Sequence, residues 1–387
     1  MDRKSSRLGM AAATVVALAM LSTSAFALTV FGNNSQKGSL LIYPEIIADP
    51  GNNDTLITLT NDSALPVLLK CYYATSDPVP TPNTSTAAQL RGLKHFLDFT
   101  INLTHNQPIA WWASTGRAYS DSQRFGGFVA PPFGVWPDGA ANRFHGELKC
   151  WAVTDDGANQ RNHNHLFGTA SIFVFNGQAA EYTAWAFQAI SGAVEGPNGP
   201  PGVLNLNNVD YDACPNILLG NFLASGVGNQ HTIVTLASCN QDLRQAYTPT
   251  ITKLTWTFFN QDEAARTGTH TCADSWFEVE FPLAAGFPFA NITGLGTEVG
   301  YFRIETTADT QICGPSAVTS AYVGVTLQGV PGATGNLRGT NLTGRGPAFG
   351  VIKYDVSPPD SSRPTSQQVT APTAQGNALP AGSLLGN

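Results

Sequence analysis

The chain has 387 residues and a formal net charge of −7, with 20 Lys and Arg against 27 Asp and Glu. An acidic chain with scattered basic residues binds polyanions poorly, which argues against nucleic acid as a partner. Only 12% of the residues are charged while 38 are glycine, so the surface is expected to be polar but weakly charged.

The first residues have the features of a secretory signal peptide. Three basic residues precede a short apolar run that closes on Ala25, Phe26 and Ala27, and this small-residue pattern favours cleavage before Leu28. No later stretch approaches the roughly 18 consecutive apolar residues that a transmembrane helix needs. We therefore expect an exported protein without a transmembrane anchor, located in the periplasm, at the outer-membrane surface or outside the cell.

Period-two alternation, the pattern of a strand with one buried face, recurs along the rest of the chain. From Leu97 to Thr104, four apolar residues alternate with Asp and Thr or Asn. The same pattern is found at 254–258, 277–281 and 323–327, and turn-forming Gly, Pro and Asn residues separate the runs. This spacing predicts antiparallel strands rather than a parallel α/β sheet.

The fold class predicted from these strands is all-β, with two antiparallel β-sandwich domains of immunoglobulin-like or jelly-roll-like type. The stretch that divides the two sets of strands is rich in Gly, Pro and Asn and is interpreted as a linker. A final segment rich in Pro, Ser, Thr and Gln is expected to be disordered. The predicted organisation is a signal peptide at 1–27, an N-terminal domain at 28–190, a linker at 191–208, a C-terminal domain at 209–356 and a tail at 357–387.

One phrase occurs twice, as LLKCYY around Cys71 and as ELKCWA around Cys150. Alternation places both cysteines on the leucine side of their strands, toward the core, with each lysine on the other face. Neither cysteine has the spacing or the nearby third ligand of a metal or redox site. We predict a Cys71–Cys150 disulfide between the two sheets of a sandwich; two buried or otherwise paired cysteines, and metal or redox chemistry, are the alternatives.

The other four cysteines lie in the predicted C-terminal domain. Because an oxidising compartment favours disulfides, these four should also pair. Four cysteines permit three pairings. The pairing that we expect is Cys214–Cys239 with Cys272–Cys313.

Two pairs of residues suggest a metal site beside Cys150. His145 and Glu147 are two residues apart, as are His163 and His165, so within a strand each pair would project from one face and could clasp a divalent metal. The alternatives are solvated hairpin residues and a structural hydrogen-bonding role. No other cofactor is expected.

A long segment from Trp111 to Trp136 joins two candidate strands and is rich in aromatic residues. Such rings could stack on sugars or on a partner protein, whereas the alternative is a small satellite core under an irregular segment. The ligand-binding residues of this hypothesis are Trp111, Trp112, Tyr119, Phe128 and Trp136.

No catalytic residue is predicted. The chain has no Gly-x-Ser-x-Gly elbow, no His-Glu-x-x-His motif and no glycine loop that would cradle a phosphate. A missing motif is weak evidence, however, because two acids on facing strands can also form a glycosidase site. A secreted hydrolase therefore stays an alternative.

Three stretches carry a resemblance: TLITLTNDSALPVLLKCYY, LDFTINLTHNQPIAWWAS and YDACPNILLGNFLAS. Here the chain resembles uncharacterised, signal-peptide-bearing envelope proteins of Gram-negative bacteria, which look like tandem β-sandwich proteins. The resemblance implies an architecture and a location but no functional residues.

These observations together favour an exported, non-enzymatic protein of the cell envelope or extracellular space, with a role in structure, adhesion or assembly. Its partners would be other envelope or surface proteins or glycans. A carbohydrate- or metal-binding module is the alternative, after which comes the hydrolase. A structural role predicts an exposed sheet edge suited to strand addition.

Overall fold

A computed structural model describes most of the chain between residues 31 and 345. The described residues are 31–49, 51–75, 95–116, 134–135, 141–174, 177–190, 199–204, 206–223, 231–244, 251–281, 295, 297–314, 317, 320–329 and 337–345. The predicted signal peptide and the predicted tail lie outside them.

The regular structure of the described residues consists of strands, with no helix. The strands are β1 (Leu40–Asp49), β2 (Asn53–Asn61), β3 (Val67–Thr75), β4 (His95–Leu103), β5 (Gln107–Trp112), β6 (Gly134–Val135), β7 (Ala141–Val153), β8 (Leu166–Phe167), β9 (Thr169–Val174), β10 (Gln178–Thr183), β11 (Trp185–Phe187), β12 (Ile217–Leu223), β13 (His231–Ser238), β14 (Thr252–Asn260), β15 (Ala265–Ala273), β16 (Trp276–Phe281), β17 (Val299–Thr307), β18 (Tyr322–Gly329), β19 (Arg338–Asn341) and β20 (Thr343–Arg345).

Antiparallel pairing joins these strands into three open sheets. The large sheet has 11 strands, in the order β10-β9-β2-β1-β7-β3-β4, with β5, β6, β8 and β11 paired off this path. A 5-stranded sheet has the order β15-β14-β17-β12-β20, and a 4-stranded sheet the order β16-β13-β18-β19. The all-β, antiparallel, sandwich-type architecture expected from the alternation is thus confirmed.

Both faces of the large sheet are buried near its centre. On one face, Leu41, Tyr43, Leu148 and Cys150 belong to a first core, which is built mainly from this sheet. On the other face, alternate residues of the same strands belong to a second core. The second core also contains residues of both smaller sheets, among them Leu236, Trp256, Phe277 and Phe302. Strands of the two predicted domains therefore share one apolar cluster.

Part of the predicted linker is described and is packed against the large sheet. Pro201 and Gly202 are buried, and the Tyr72 hydroxyl donates a hydrogen bond of 3.1 Å to the Pro201 carbonyl. Gly202 has a φ of +99°, and a Cβ at this position would lie 2.9 Å from the Tyr72 hydroxyl oxygen. Glycine is required here, since both the backbone conformation and the close approach exclude a side chain.

The three disulfides have the predicted pairings, Cys71–Cys150, Cys214–Cys239 and Cys272–Cys313. The position of the first one, however, was predicted wrongly. Cys71 and Cys150 are direct partners on the neighbouring strands β3 and β7, with their Cα atoms 4.1 Å apart. The bridge therefore joins two strands of one sheet and not two sheets, because alternation indicates the face of a residue but not the neighbours of its strand.

Three disulfides indicate that the protein matures in an oxidising, exported environment. Within the described residues there is no helix that is long and apolar enough to span a bilayer.

Candidate functional site

An acid–histidine cluster lies where the large sheet meets the 4-stranded sheet. Glu45 comes from β1, His145 from β7 and Glu278 from β16. The Nε2 atom of His145 contacts Oε1 of Glu45 and lies 2.9 Å from Oε2 of Glu278. In the part of the chain that is described, these three residues form the group whose ligand atoms all lie within 4.8 Å of one another. We call it the Glu–His–Glu cluster.

A β-bulge directs Glu45 into this cluster. Tyr43 is opposite Leu148 and Ile46 is opposite Gly146, so β1 has two residues where β7 has one. In an uninterrupted strand, residue 45 would share the face of Tyr43 and enter the first core. The extra residue reverses the phase, which leaves Tyr43 and Ile46 together in the first core and turns Glu45 to the side of His145. Bulges commonly re-aim a side chain in this way next to functional sites.

Neighbouring groups hold the cluster in place. The Thr235 hydroxyl donates to Oε2 of Glu45, which leaves Oε1 for His145. The main chain of Glu45 is fixed by Tyr182, whose hydroxyl accepts from the Glu45 N–H at 3.0 Å and donates to the Glu45 carbonyl. The Trp276 ring lies against the His145 ring with centroids 5.0 Å apart. The imidazole is therefore oriented by this ring and by the two carboxylates at its Nε2 atom.

The electrostatics of the cluster favour positive charge at His145. Burial lowers the pKa of this imidazole, but the carboxylates of Glu278 and Glu45 outweigh burial and raise the pKa well above its usual value. Burial raises the pKa of Glu45, an effect that His145 opposes. The two carboxylates thus stabilise the positive charge of the His145 imidazole, whereas Glu278 adds to the effect of burial in raising the pKa of Glu45.

The cluster is open to solvent on one side. The Glu45 side chain is fully buried, whereas those of His145 and Glu278 are 27% and 21% exposed. Two acids that face each other are the feature that a hydrolase would require. Here both carboxylates contact the same imidazole nitrogen, Nε2 of His145.

Glu147, the predicted partner of His145, belongs to a different buried group. It lies on the same face of β7, but its Oε1 atom accepts a hydrogen bond of 2.6 Å from Lys149. Lys149 also donates to the Gln241 side chain, and both charged side chains are fully buried. Burial lowers the pKa of Lys149, against the attraction of Glu147. This is an internal ion pair that neither the phrase nor the alternation indicates.

The second predicted histidine pair lies at the end of β2, apart from the Glu–His–Glu cluster. His163 is buried, and its Nε2 atom lies 2.9 Å from Oδ1 of Asn61. The Asn61 amide nitrogen donates to the Leu65 and Thr104 carbonyls, so the atom that faces the ring is the amide oxygen. Because this oxygen can only accept, Nε2 carries the hydrogen. Burial lowers the pKa of His163 to about 4. His165 is exposed, with Nδ1 at 3.1 Å from Oδ1 of Asp62, and the two rings are 5.3 Å apart.

Two of the five predicted ligand-binding aromatics are described, and both lie in β5. Trp111 is fully buried in the first core and donates a hydrogen bond of 2.9 Å to the Tyr73 hydroxyl. Trp112 is half-buried against Phe173, with ring centroids 5.4 Å apart. A ligand therefore has no access to the Trp111 ring in this structure. The other three positions, Tyr119, Phe128 and Trp136, lie outside the described residues.

The two outer edges of the large sheet differ. At the β10 edge, the Asn341 side chain donates to the Thr183 carbonyl at 2.7 Å and accepts from the Thr183 N–H at 3.2 Å. Gly339 approaches so closely that a Cβ there would lie 2.5 Å from the Glu181 carbonyl oxygen. At the β4 edge, β3 is the one neighbour among the described strands, through nine uninterrupted pairs.

The main-chain groups that face outward along β4 can be assigned from the register. A Cα separation of 4.1 Å at Cys71–Cys150 indicates a pair without mutual hydrogen bonds. The N–H and C=O of Cys71 therefore face β4, where Phe99 is its partner. Because direction alternates along a strand, the N–H and C=O of the flanking residues Asp98 and Thr100 face away from β3.

Sequence analysis found His145 but missed both of its acidic partners. Glu45 carried a signal, since it is the single charged residue within the apolar run LLIYPEIIA of β1. Glu278 carried none, because alternation places it on the apparently wet face of β16. Neither the scan against protein-family models nor the search of curated proteins gave a match.

Proposed function

We propose that the chain is an exported, non-enzymatic protein of the periplasm, the outer-membrane surface or the extracellular space, with a role in structure, adhesion or assembly. It would act by receiving an extended segment of another envelope protein along the outer edge of β4. The resemblance to envelope proteins supports the location, and the three disulfides support an oxidising compartment.

The contrast between the two edges of the large sheet carries this proposal. A bare edge is an aggregation hazard, and proteins usually protect it with Pro, Lys, a bulge or a cover. The β10 edge has such a cover in Asn341 and Gly339. The segment HFLDFTINL of β4 contains no Pro or Lys and pairs with β3 without a bulge. A long regular edge with these features fits a partner strand.

The side chains of β4 would give the added strand its register. Asp98, Thr100 and Asn102 are exposed on one face, while Phe99, Ile101 and Leu103 are buried on the other. An added strand would continue both surfaces, with apolar residues toward the first core and polar residues outward. The expected partner segment is therefore alternating and extended.

The test is capture of a partner by the full-length protein after mild cross-linking in fractionated cells. Thr100→Pro removes one outward N–H but none of the hydrogen bonds to β3, because the Thr100 N–H faces away from β3. Proline is tolerated at such positions of an edge strand. Thr100→Val keeps the N–H and is the matched control. We expect the wild type and Thr100→Val to capture the same partner and Thr100→Pro to lose it.

Two outcomes would contradict the proposal. One is a wild type that captures no partner in any fraction, and the other is equal capture by Thr100→Pro and Thr100→Val. Thermal unfolding of both variants shows whether a loss of capture comes from the edge or from unfolding. If Thr100→Pro unfolds, Asn102→Pro repeats the test at the next outward N–H.

A further inference from the structure

We propose that the Glu–His–Glu cluster is a binding site for a divalent transition-metal ion, with zinc as the best fit. Glu45, His145 and Glu278 would provide the protein ligands, and the solvent side of the cluster would provide the remaining one. This inference is independent of the β4 edge, since none of the three residues lies on that strand.

Hydrogen-bond geometry gives the first argument. The Nε2 atom of His145 can carry one hydrogen, yet it faces a carboxylate oxygen of Glu45 and another of Glu278. One hydrogen shared between two carboxylates satisfies neither fully. A metal ion in its place would bind all three atoms at once.

The spacing of the ligand atoms suits this exchange. Zinc holds nitrogen and oxygen ligands at about 2.0–2.2 Å, which separates tetrahedral ligand atoms by about 3.3–3.6 Å. Nε2 of His145 and Oε2 of Glu278 are 2.9 Å apart, so they would separate by roughly half an ångström to admit the ion. Nε2 is closer still to Oε1 of Glu45, and this pair would also have to separate. The side chains free to move are those of His145 and Glu278, which are 27% and 21% exposed.

Burial gives the second argument. The Glu45 side chain is fully buried and its Oε1 atom is directed to the same imidazole nitrogen as Oε2 of Glu278. Buried acidic groups are tolerated when they are paired or coordinate a metal, and an ion bound between the three ligand atoms would contact both carboxyl groups.

The surroundings meet the usual requirements of a metal site. Ligands are commonly held by outer hydrogen bonds, and here Thr235 fixes one oxygen of Glu45 while Tyr182 fixes its main chain. The indole N–H of Trp276 donates a hydrogen bond of 2.8 Å to the carbonyl of Pro44, which lies in the bulge. The bulge is thus clamped by a residue of β16, the strand that provides Glu278.

The ligand types indicate which metal is preferred. An imidazole ligand suits zinc and the neighbouring transition metals, and zinc also binds carboxylate oxygens, whereas calcium takes six to eight oxygens and magnesium usually keeps several waters. All six cysteines are in disulfides, so no thiolate competes for a softer ion. We therefore expect zinc to bind and calcium and magnesium to compete weakly.

The experiment is calorimetric titration of the metal-stripped, full-length mature protein with zinc. We expect one ion per chain, with affinity lowered roughly tenfold or more in Glu278→Gln and in His145→Gln. Glu280→Gln is the matched control, because Glu280 lies two residues further along β16 and contacts His231 instead. His165→Gln controls for binding by an exposed histidine. Neither control should change the affinity.

The proposal is overturned if the wild type takes up no stoichiometric zinc, or if Glu278→Gln and His145→Gln bind zinc like the two controls. X-ray absorption of the zinc-loaded wild type keeps the test decisive should the variants unfold. We expect a shell of nitrogen and oxygen that contains a single imidazole. Sulfur ligands, or two or more imidazoles, would place the ion elsewhere and contradict the assignment.

Discussion

Strands β3 and β7 carry nearly the same phrase, LKCYY and LKCWA, and lie side by side in the large sheet. Their lysines nevertheless meet opposite environments. The Lys70 side chain is 20% exposed and pairs with Asp98, which is itself 38% exposed. Lys149 is fully buried, with Glu147 and Gln241 as its partners.

Sheet order explains this difference. β3 is next to the edge strand β4, and its Lys70 side is partly open to water, whereas β7 is central and its second face lies under the second core. The Gln241 side chain that accepts from Lys149 belongs to the segment after β13, a strand of the 4-stranded sheet. The local sequence determines the face of the sheet on which a side chain lies. Residues from a distant part of the chain determine whether that face is exposed to solvent.

The largest expected effect is at Lys149. Lys149→Met removes the ammonium partner of a fully buried carboxylate and should lower the free energy of unfolding by about 3–5 kcal/mol. The equivalent change, Lys70→Met, breaks a surface pair and should cost no more than about 1 kcal/mol. Urea unfolding of the two variants measures the difference directly.

A double variant sharpens this comparison. Lys149→Met with Glu147→Gln removes both charges and should recover a large part of the loss, because a neutral amide costs less to bury than a carboxylate. Equal losses for Lys149→Met and Lys70→Met would show that Lys149 is not buried in solution.

The next effect concerns the disulfide that joins the two phrases. Replacing both Cys71 and Cys150 by alanine should cost about 2–4 kcal/mol, since the bridge closes a long loop in the unfolded chain. The sequence separation is 79 residues, against 41 for Cys272–Cys313, so the first bridge should stabilise at least as much as the second. A free thiol at Cys71 in non-reducing peptide mapping would contradict the pairing.

The remaining effect depends on pH. It compares two histidines that are two residues apart in the sequence. His163 is buried and His165 is exposed. Burial holds the pKa of His163 at about 4 in the folded protein, below the usual value of about 6.5 that applies to the unfolded chain. The unfolded state therefore takes up the proton first as the pH falls. The stability due to this group is complete above pH 6.5 and is lost between about 6.5 and 4.

Matched variants isolate that contribution. His163→Gln keeps a donor for Asn61 but cannot titrate, so it should flatten the fall in melting temperature over this pH range. His165→Gln should leave the fall unchanged. An unchanged slope in His163→Gln would mean that other groups govern the acid limb.

Sequence reasoning succeeded where the structure depends on local order. Alternation identified strands such as β4, β14 and β16, and the compartment favoured disulfides. The expected pairs were confirmed, although the sequence did not choose among the three pairings of Cys214, Cys239, Cys272 and Cys313. It failed where the structure depends on neighbours: Cys71 and Cys150 turned out to share a sheet, and Lys149 turned out to be buried. The direction of the Glu45 side chain depends on the one extra residue of the β-bulge. That residue can be recognised only when the register between β1 and β7 is known.

The position of Glu45 and Pro44 in the first strand has a consequence for the order of folding. Glu45 meets Thr235 at a sequence separation of 190 residues, and Pro44 meets Trp276 at a separation of 232. During synthesis or export, β1 therefore emerges well before the residues that form hydrogen bonds with its polar groups. Contacts of such long range slow folding and prolong the exposure of unpaired strands. The chain should depend on holding chaperones more than a protein assembled from neighbouring hairpins.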